Sequence, residues 1–315
     1  MNAGALGLAL GSTVVHAGWN LLTRGQQDRE TLMQRMLIVV AVVGLVPMLI
    51  GEWLHPQMTT TAWWCAGVAG FFGGMYYFFL AHAYNSTDFT TAYPVIRALP
   101  VMLIPLADMA RGRPISWLGW CAVALVAFGC LLSTLTSFRE FSIKRFFHHS
   151  FALILTAAMG TVGYTIFDKL ASESIRASAE AQLAPGASVA AMTAISGAAK
   201  YEWAMLAAAL LAFLGFQRAF PGHRRALRAN PDRVGPGWTV PALVAAGVFI
   251  GYGMILWAFQ LTDQMGYVSA LRQFSIVIGV LLAFIVFHEK GFWVRTTGVA
   301  LITAGAVLIV TLPKG

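Results

Sequence analysis

Charge is what this sequence has least of. Only 11% of its 315 residues are Asp, Glu, Lys or Arg, against roughly 25% in soluble domains, so no water-facing surface can be built from it. Cysteine is scarce too: Cys65, Cys121 and Cys130 all fall inside apolar runs, which reads as three small buried hydrophobes rather than a disulfide framework or a metal site. Catalytic signatures are missing. His288-Glu289-Lys290 lacks the second histidine of a zinc-protease helix, and neither a Gly-rich phosphate loop ending in Lys-Ser/Thr nor a Gly-x-Ser-x-Gly elbow occurs. These absences argue against an enzyme, a resident cofactor or metal, and an ATP-driven pump acting alone.

What the chain has in abundance is long apolar runs, with 58% hydrophobic residues. A helix of about 20 apolar residues crosses the hydrocarbon layer, and a backbone in lipid must satisfy its own hydrogen bonds. The runs predict an all-α membrane protein of ten spans near 3–22, 32–51, 62–84, 90–110, 117–136, 150–170, 192–217, 239–261, 266–287 and 292–312. No basic residue precedes the first run, and Arg24 follows it, so it reads as a retained helix rather than a cleaved leader. Tight turns at Ser86-Thr87-Asp88 and Thr262-Asp263 force antiparallel neighbours, whereas 172–191 and 217–238 read as loose linkers.

The formal net charge is +8, but the basic residues sit between apolar runs, which fits membrane topology and not nucleic acid. Loops after odd-numbered spans carry thirteen Lys or Arg and the opposite side five, Arg111, Arg113, Lys169, Arg176 and Lys314. The positive-inside rule then turns both termini away from the cytoplasm.

An internal repeat emerges when 83–132 is laid on 258–308. Ala83-Tyr84, Thr87-Asp88 and Arg97 fall on Ala258-Phe259, Thr262-Asp263 and Arg272, and Trp117, Ala124 and Gly129 fall on Trp293, Ala300 and Gly305 after one inserted residue. Gly18-Trp19 and Arg24 match Gly163-Tyr164 and Lys169 more weakly. Units of five spans must be inverted relative to one another, here 1–138 and 150–315, and inverted repeats are the architecture of many secondary transporters, with solute bound between them.

Three stretches carry a resemblance to a known family: His16-Ala17-Gly18-Trp19-Asn20-Leu21-Leu22, the segment from Ala83 to Val101, and Gly298-x-x-Leu301-Ile302-x-x-Gly305, echoed by Ala122-x-x-Leu125-Val126-x-x-Gly129. With Glu289 closing the ninth span, the chain resembles the EamA family of the drug/metabolite transporter superfamily. The resemblance implies a five-plus-five inverted-repeat carrier with a cavity lined mainly by spans 1, 3, 4, 6, 8 and 9. Two departures stand out. Arg111-Gly112-Arg113-Pro114 replaces a family-like glutamate in the first half, and the first span has no carboxylate for cation/proton exchange.

Arg97 and Arg272 are the sharpest candidates for substrate contact, because a charge inside an apolar helix is expensive unless it faces a cavity or partner, and arginine grips carboxylate or phosphate bidentately. They favour an anionic or zwitterionic solute. Trp19 and Asn20 share a helix face with His16 at i, i+3 and i+4; His16 and, less so, His82 are proton-coupling candidates. Tyr76, Tyr93 and Trp257 could supply an aromatic box, and Gln273 adds uncharged polar capacity. Lys200, Glu202, Asp168 and Lys169 read as interfacial charges. Small-xxx-small spacing at Gly70/Gly74 and Gly247/Gly251 predicts close helix approach, and Pro94, Pro100 and Pro105 should bend the fourth span.

The expected function is a secondary transporter moving a small metabolite across a bacterial inner membrane by alternating access, without nucleic acid, in contact with membrane lipids, and with a homodimer admitted. The alternative is a flippase for a lipid-linked or amphipathic cargo, admitted sideways past Phe71, Phe72, Phe78 and Phe79.

Overall fold

The computed structural model describes residues 2–24, 26–86, 89–140, 151–183, 188–220, 235–285 and 290–312. Its α-helices are α1 (Ala3–Arg24), α2 (Arg29–Leu54), α3 (Thr60–Ser86), α4 (Phe89–Ala110), α5 (Trp117–Leu132), α6 (Phe151–Glu180), α7 (Ala191–Ala219), α8 (Thr239–Leu261), α9 (Met265–Leu271), α10 (Phe274–Ile285) and α11 (Phe292–Thr311). No strand occurs among the described residues. With α9 and α10 taken as one interrupted span, eight helices are long and apolar enough to cross a membrane; α4 and the shorter α5 complete ten. The chain is an integral membrane protein. Trp53, Trp64, Trp117, Trp238 and Trp293 stand exposed near helix ends, the aromatic belt of a protein that meets two lipid–water interfaces.

Two elements depart from the sequence expectation. The sixth span runs ten residues further, to Glu180, through a segment the sequence reads as linker. Its alanines are strong helix formers, and Lys169 to Glu173 and Arg176 to Glu180 are i,i+4 ion pairs. The ninth span is broken. Gln273 N donates to Ala270 O, Ser275 N to Arg272 O and Ile276 N to Gln273 O, three-residue closures that tighten the helix into a 3₁₀ turn around Arg272-Gln273. Ser275 Oγ also donates to Arg272 O, and Gln273 Nε2 to Ser269 O, so side chains satisfy carbonyls that the broken ladder strands.

Packing follows the small residues. α5 lies on α11 through the two echoed motifs. A Cβ on Gly129 would stand 2.6 Å from Gly298 O, one on Gly298 2.6 Å from Ser133 N, and one on Gly305 2.7 Å from Ala122 O, so only glycine permits this backbone approach. Gly70 and Gly74 of α3 meet α7 in the same way, with virtual Cβ distances of 2.4 Å to Ala208 Cβ and 2.6 Å to Ala209 O. Gly247 receives Trp19 of α1. Partners pair off in a pattern: α1 packs on α8 as α3 does on α6, α3 on α7 as α8 does on α2, while α2–α7 and α5–α11 map onto themselves when each of the first five spans is exchanged with the fifth one after it.

Candidate functional site

Two of the three side chains that sequence reasoning singles out on α1, His16 and Trp19, line one internal cavity. Ser12, Thr13, His16 and Trp19 of α1 face Gly73, Tyr76 and Tyr77 of α3, Tyr164 of α6, Met205 and Leu206 of α7, Val248, Gly251 and Tyr252 of α8, and Arg272 at the break after α9. The wall therefore includes α7, and among the described residues α4 contributes none, unlike the expected set of spans. The cavity holds about 40 Å³, room for little more than a few waters and far below the 300–1,000 Å³ of a metabolite pocket. The space at the centre of the bundle is narrow.

Arg272 is the cation of this cavity. Its guanidinium carbon lies 5.0 Å from the Tyr252 ring centroid, and among the described residues no carboxylate comes within ion-pair distance of it. The break in the span is what leaves this side chain at the wall instead of in a continuous ladder. Tyr164 meets Tyr252 edge-on at 5.8 Å and Tyr76 at 5.8 Å, and His16 meets Trp19 at 4.7 Å. These π-faces beside a guanidinium form a site suited to a carboxylate with an attached ammonium or apolar portion.

The other sequence candidates are dispersed. Arg97 reaches α10, donating to Ser275 Oγ at 2.7 Å, just past the break; it does not line the cavity, yet its charge and that of Arg272 both act on His16. Asn20 Nδ2 donates to His16 O at 2.8 Å, Trp257 packs against the apolar core, and Gln273 is buried at the break. His82 lies 4.0 Å from the Phe78 ring with Nδ1 bonded to Phe78 O, away from the cavity. The side chain of Tyr93 lies outside the described residues, as does Glu289.

Two expectations need correction. Asp168, Lys169, Lys200 and Glu202 are all buried in the protein, because the lengthened α6 and the tight α3–α7 seam enclose them. Asp168 accepts from Tyr201 Oη at 2.7 Å and from Tyr252 Oη, Lys169 donates to Phe259 O and Thr262 O at the end of α8, and Lys200 pairs with Glu52. Asp168 and Glu202 are what sequence reasoning missed; their places in apolar stretches, with Tyr201 beside one of them, were the available signal. Phe78 of α3 frames no opening either: it is 1% exposed and packs with Phe79, Phe213, Phe216 and Phe220 in an aromatic cluster, whereas Phe71 is exposed and lines a surface groove with Thr60, Trp63, Trp64, Gly67 and Val68. The cysteines are all free, with Cys65 and Cys130 buried as expected but Cys121 exposed.

At the ends of α4, α6 and α8 the charged groups interlock. Arg111 and Arg113 of the α4–α5 turn bond Glu173 of α6, which also holds Lys169 at 3.0 Å, while Arg113 pairs with Asp263 of the α8–α9 turn. Asp108, fully buried, accepts from Gly266 N at 2.7 Å and Met265 N at 3.3 Å, capping α9 from the opposite half. Arg111, Arg113 and Lys169 on the charge-poor side are thus tied into protein contacts.

Residues 3–135 match the EamA-like transporter family. EamA-like proteins are transporters of the drug/metabolite superfamily. A solved crystal structure aligns with a TM-score of 0.63 at 18% identity, covering 99% of this chain and 97% of that one; the likeness carries the fold alone. No curated protein matches the sequence.

Proposed function

We propose that the protein is a secondary transporter that carries a small anionic or zwitterionic metabolite across a bacterial inner membrane by alternating access, its halves 1–138 and 150–315 rocking as inverted repeats. The observation that carries this reading is Arg272, presented on the wall of a central cavity over the Tyr252 ring and with no carboxylate partner among the described residues. A guanidinium inside a membrane costs at least about 2.5–3.5 kcal/mol on insertion scales, a cost that an anionic solute offsets. The paired packing of α1–α8 with α3–α6 supports two related halves. The narrow cavity, with an ionic network at one end and a phenylalanine cluster beyond Tyr76 and Tyr77 toward the other, fits an occluded state between two open ones.

The test is thermal stabilisation of the purified protein by a charge-sorted panel: succinate, L-glutamate, inorganic phosphate, glycine betaine and tetraphenylphosphonium. A ligand at 100 times its Kd stabilises the folded state by about 2.7 kcal/mol. The expected result is a raised Tm with one or more anions or zwitterions and no shift in Arg272→Ala. Stabilisation by tetraphenylphosphonium or by phospholipid alone would overturn the anion reading, and the lipid outcome would move the assignment to a flippase.

A further inference from the structure

Glu202 has no place in the cavity wall and no structural bond to explain it. Its side chain is completely buried in α7, and neither carboxylate oxygen has a hydrogen-bond donor among the described residues. Oε2 lies against the bare face of Gly253, where a Cβ would stand 3.0 Å away, one residue from Tyr252 of the cavity wall. An ionised carboxylate stripped of water and given no donor is held at great cost, whereas the neutral acid is tolerated. A metal cation is a poor occupant, because hard cations collect six or more oxygens and no such group of ligands surrounds Glu202 among the described residues. A proton needs one oxygen.

The charged and titratable groups facing Glu202 come from every helix packed on α7. Glu202 follows Tyr201, whose hydroxyl donates to Asp168 of α6, and Oε2 abuts Gly253, the neighbour of the Tyr252 whose ring lies under the Arg272 guanidinium. Tyr201 and Tyr252 both donate to Asp168, Cys65 of α3 senses Asp168, and on the α2 side Glu52 is engaged by Lys200. Arg272 is the one cation in this set that also lines the cavity. Its field reaches Glu202, Asp168 and Tyr252 alike.

We infer that Glu202 is the proton site of the transport cycle, coupled to the solute through Arg272. The coupling rests on the anion reading above. With the cavity empty, the Arg272 charge helps Glu202 to ionise and release its proton to cavity water. An anion paired with Arg272 cancels that field, so Glu202 takes a proton from the same water. Anion and proton therefore bind together and leave together, and by linkage each tightens the other. The carrier is then a symporter of anion and proton.

The experiment has two arms. Infrared spectra of the reconstituted protein, recorded with no solute, should show the C=O stretch of an un-ionised carboxyl group at mildly acidic pH, fading as pH rises toward neutral and missing in Glu202→Gln. A spectrum without that band, or with a band that Glu202→Gln leaves in place, overturns the proposal whatever any solute does. Titration calorimetry with succinate in two buffers of different ionisation enthalpy should show proton uptake approaching one per succinate bound in the wild type and near zero in Glu202→Gln. Equal proton counts in the two proteins overturn the coupling. Failure of succinate to bind the wild type overturns the anion-coupled symport and the cavity reading together, while a Glu202-dependent infrared band in that case upholds the proton site by itself.

Discussion

The Arg272 guanidinium stacks over the Tyr252 ring at 5.0 Å, and the hydroxyl of that ring donates to the buried Asp168 carboxylate. One tyrosine thus stands between the cavity's cation and a carboxylate beneath it, with its face serving one charge and its hydroxyl the other. A full ion pair would silence the guanidinium. Separation by a ring keeps the pair's net charge low while leaving the donor edge of Arg272 free for solute.

Tyr252→Phe separates those two services. The ring face under Arg272 survives, while Asp168 keeps only the Tyr201 hydroxyl. Removing one donor from a buried charged acceptor costs about 1–3 kcal/mol, so Tm should fall by several degrees while Arg272-dependent solute binding persists. Thermal unfolding of the variant with and without solute measures both. A variant with unchanged Tm would show that the Tyr252–Asp168 bond contributes nothing net.

The two arginines should behave differently although they coincide when 83–132 is laid on 258–308. Arg272→Lys keeps a charge but loses the planar stack and the bidentate fork, so solute affinity should fall roughly tenfold, about 1.4 kcal/mol, with little change in protein amount. Arg97→Ala removes the donor to Ser275 beside the break and should alter maximal flux more than affinity, because the group it touches belongs to the moving span and not to the cavity wall. Flux in membrane vesicles, normalised to protein in the membrane, separates the cases; matching affinity losses in both variants would restore a symmetric arginine site.

How legible the molecule was depends on the length scale of the signal. Ten spans were readable because a helix in lipid has to be apolar along its whole length, and the α5–α11 seam was readable as the motif pair around Gly129 and Gly305. The continuation of α6 to Glu180 was hidden because an Ala- and Ser-rich stretch serves equally as linker or helix until ion pairs and packing decide. The break at Arg272-Gln273 was hidden because no Gly or Pro marks it, and it depends on side chains of Ser269, Gln273 and Ser275 meeting local carbonyls. Glu202 was misread for a related reason: sequence gives its distance from a helix end but not the direction in which α7 turns it.

Gly298→Val tests the seam. A branched side chain cannot enter where even a Cβ would meet Ser133 N at 2.6 Å and Gly129 O at 2.8 Å. Overpacking costs about 1–3 kcal/mol in well-packed cores, and backbone on both sides leaves little room to yield, so the upper end is expected. Detergent-extracted variant should show a Tm lower by several degrees or reduced yield, while Gly7→Ala, with open space around its Cβ, should match the wild type. Equal stability of the two variants would mean that α5 and α11 separate freely.

Glu173 is the common acceptor of Arg111, Arg113 and Lys169, and it joins the α4–α5 turn to α6. Arg111, Arg113 and Glu173 are partly exposed, so screening limits what their pairs contribute, and the network acts mainly by holding three cations around one acid. Glu173→Gln leaves those cations facing one another. If the network is the closure at this end of the cavity, a cysteine at Ser12 of the cavity wall, placed in a background with Cys65, Cys121 and Cys130 replaced, should react several-fold faster with an impermeant maleimide in the Glu173→Gln variant, and only from the face bearing the α4–α5 turn. Unchanged labelling together with a lower Tm would make the network a static brace, and the opening of that face would then have to begin at the Arg272-Gln273 break, where α9 can swing with Asp108 still capping its first turn.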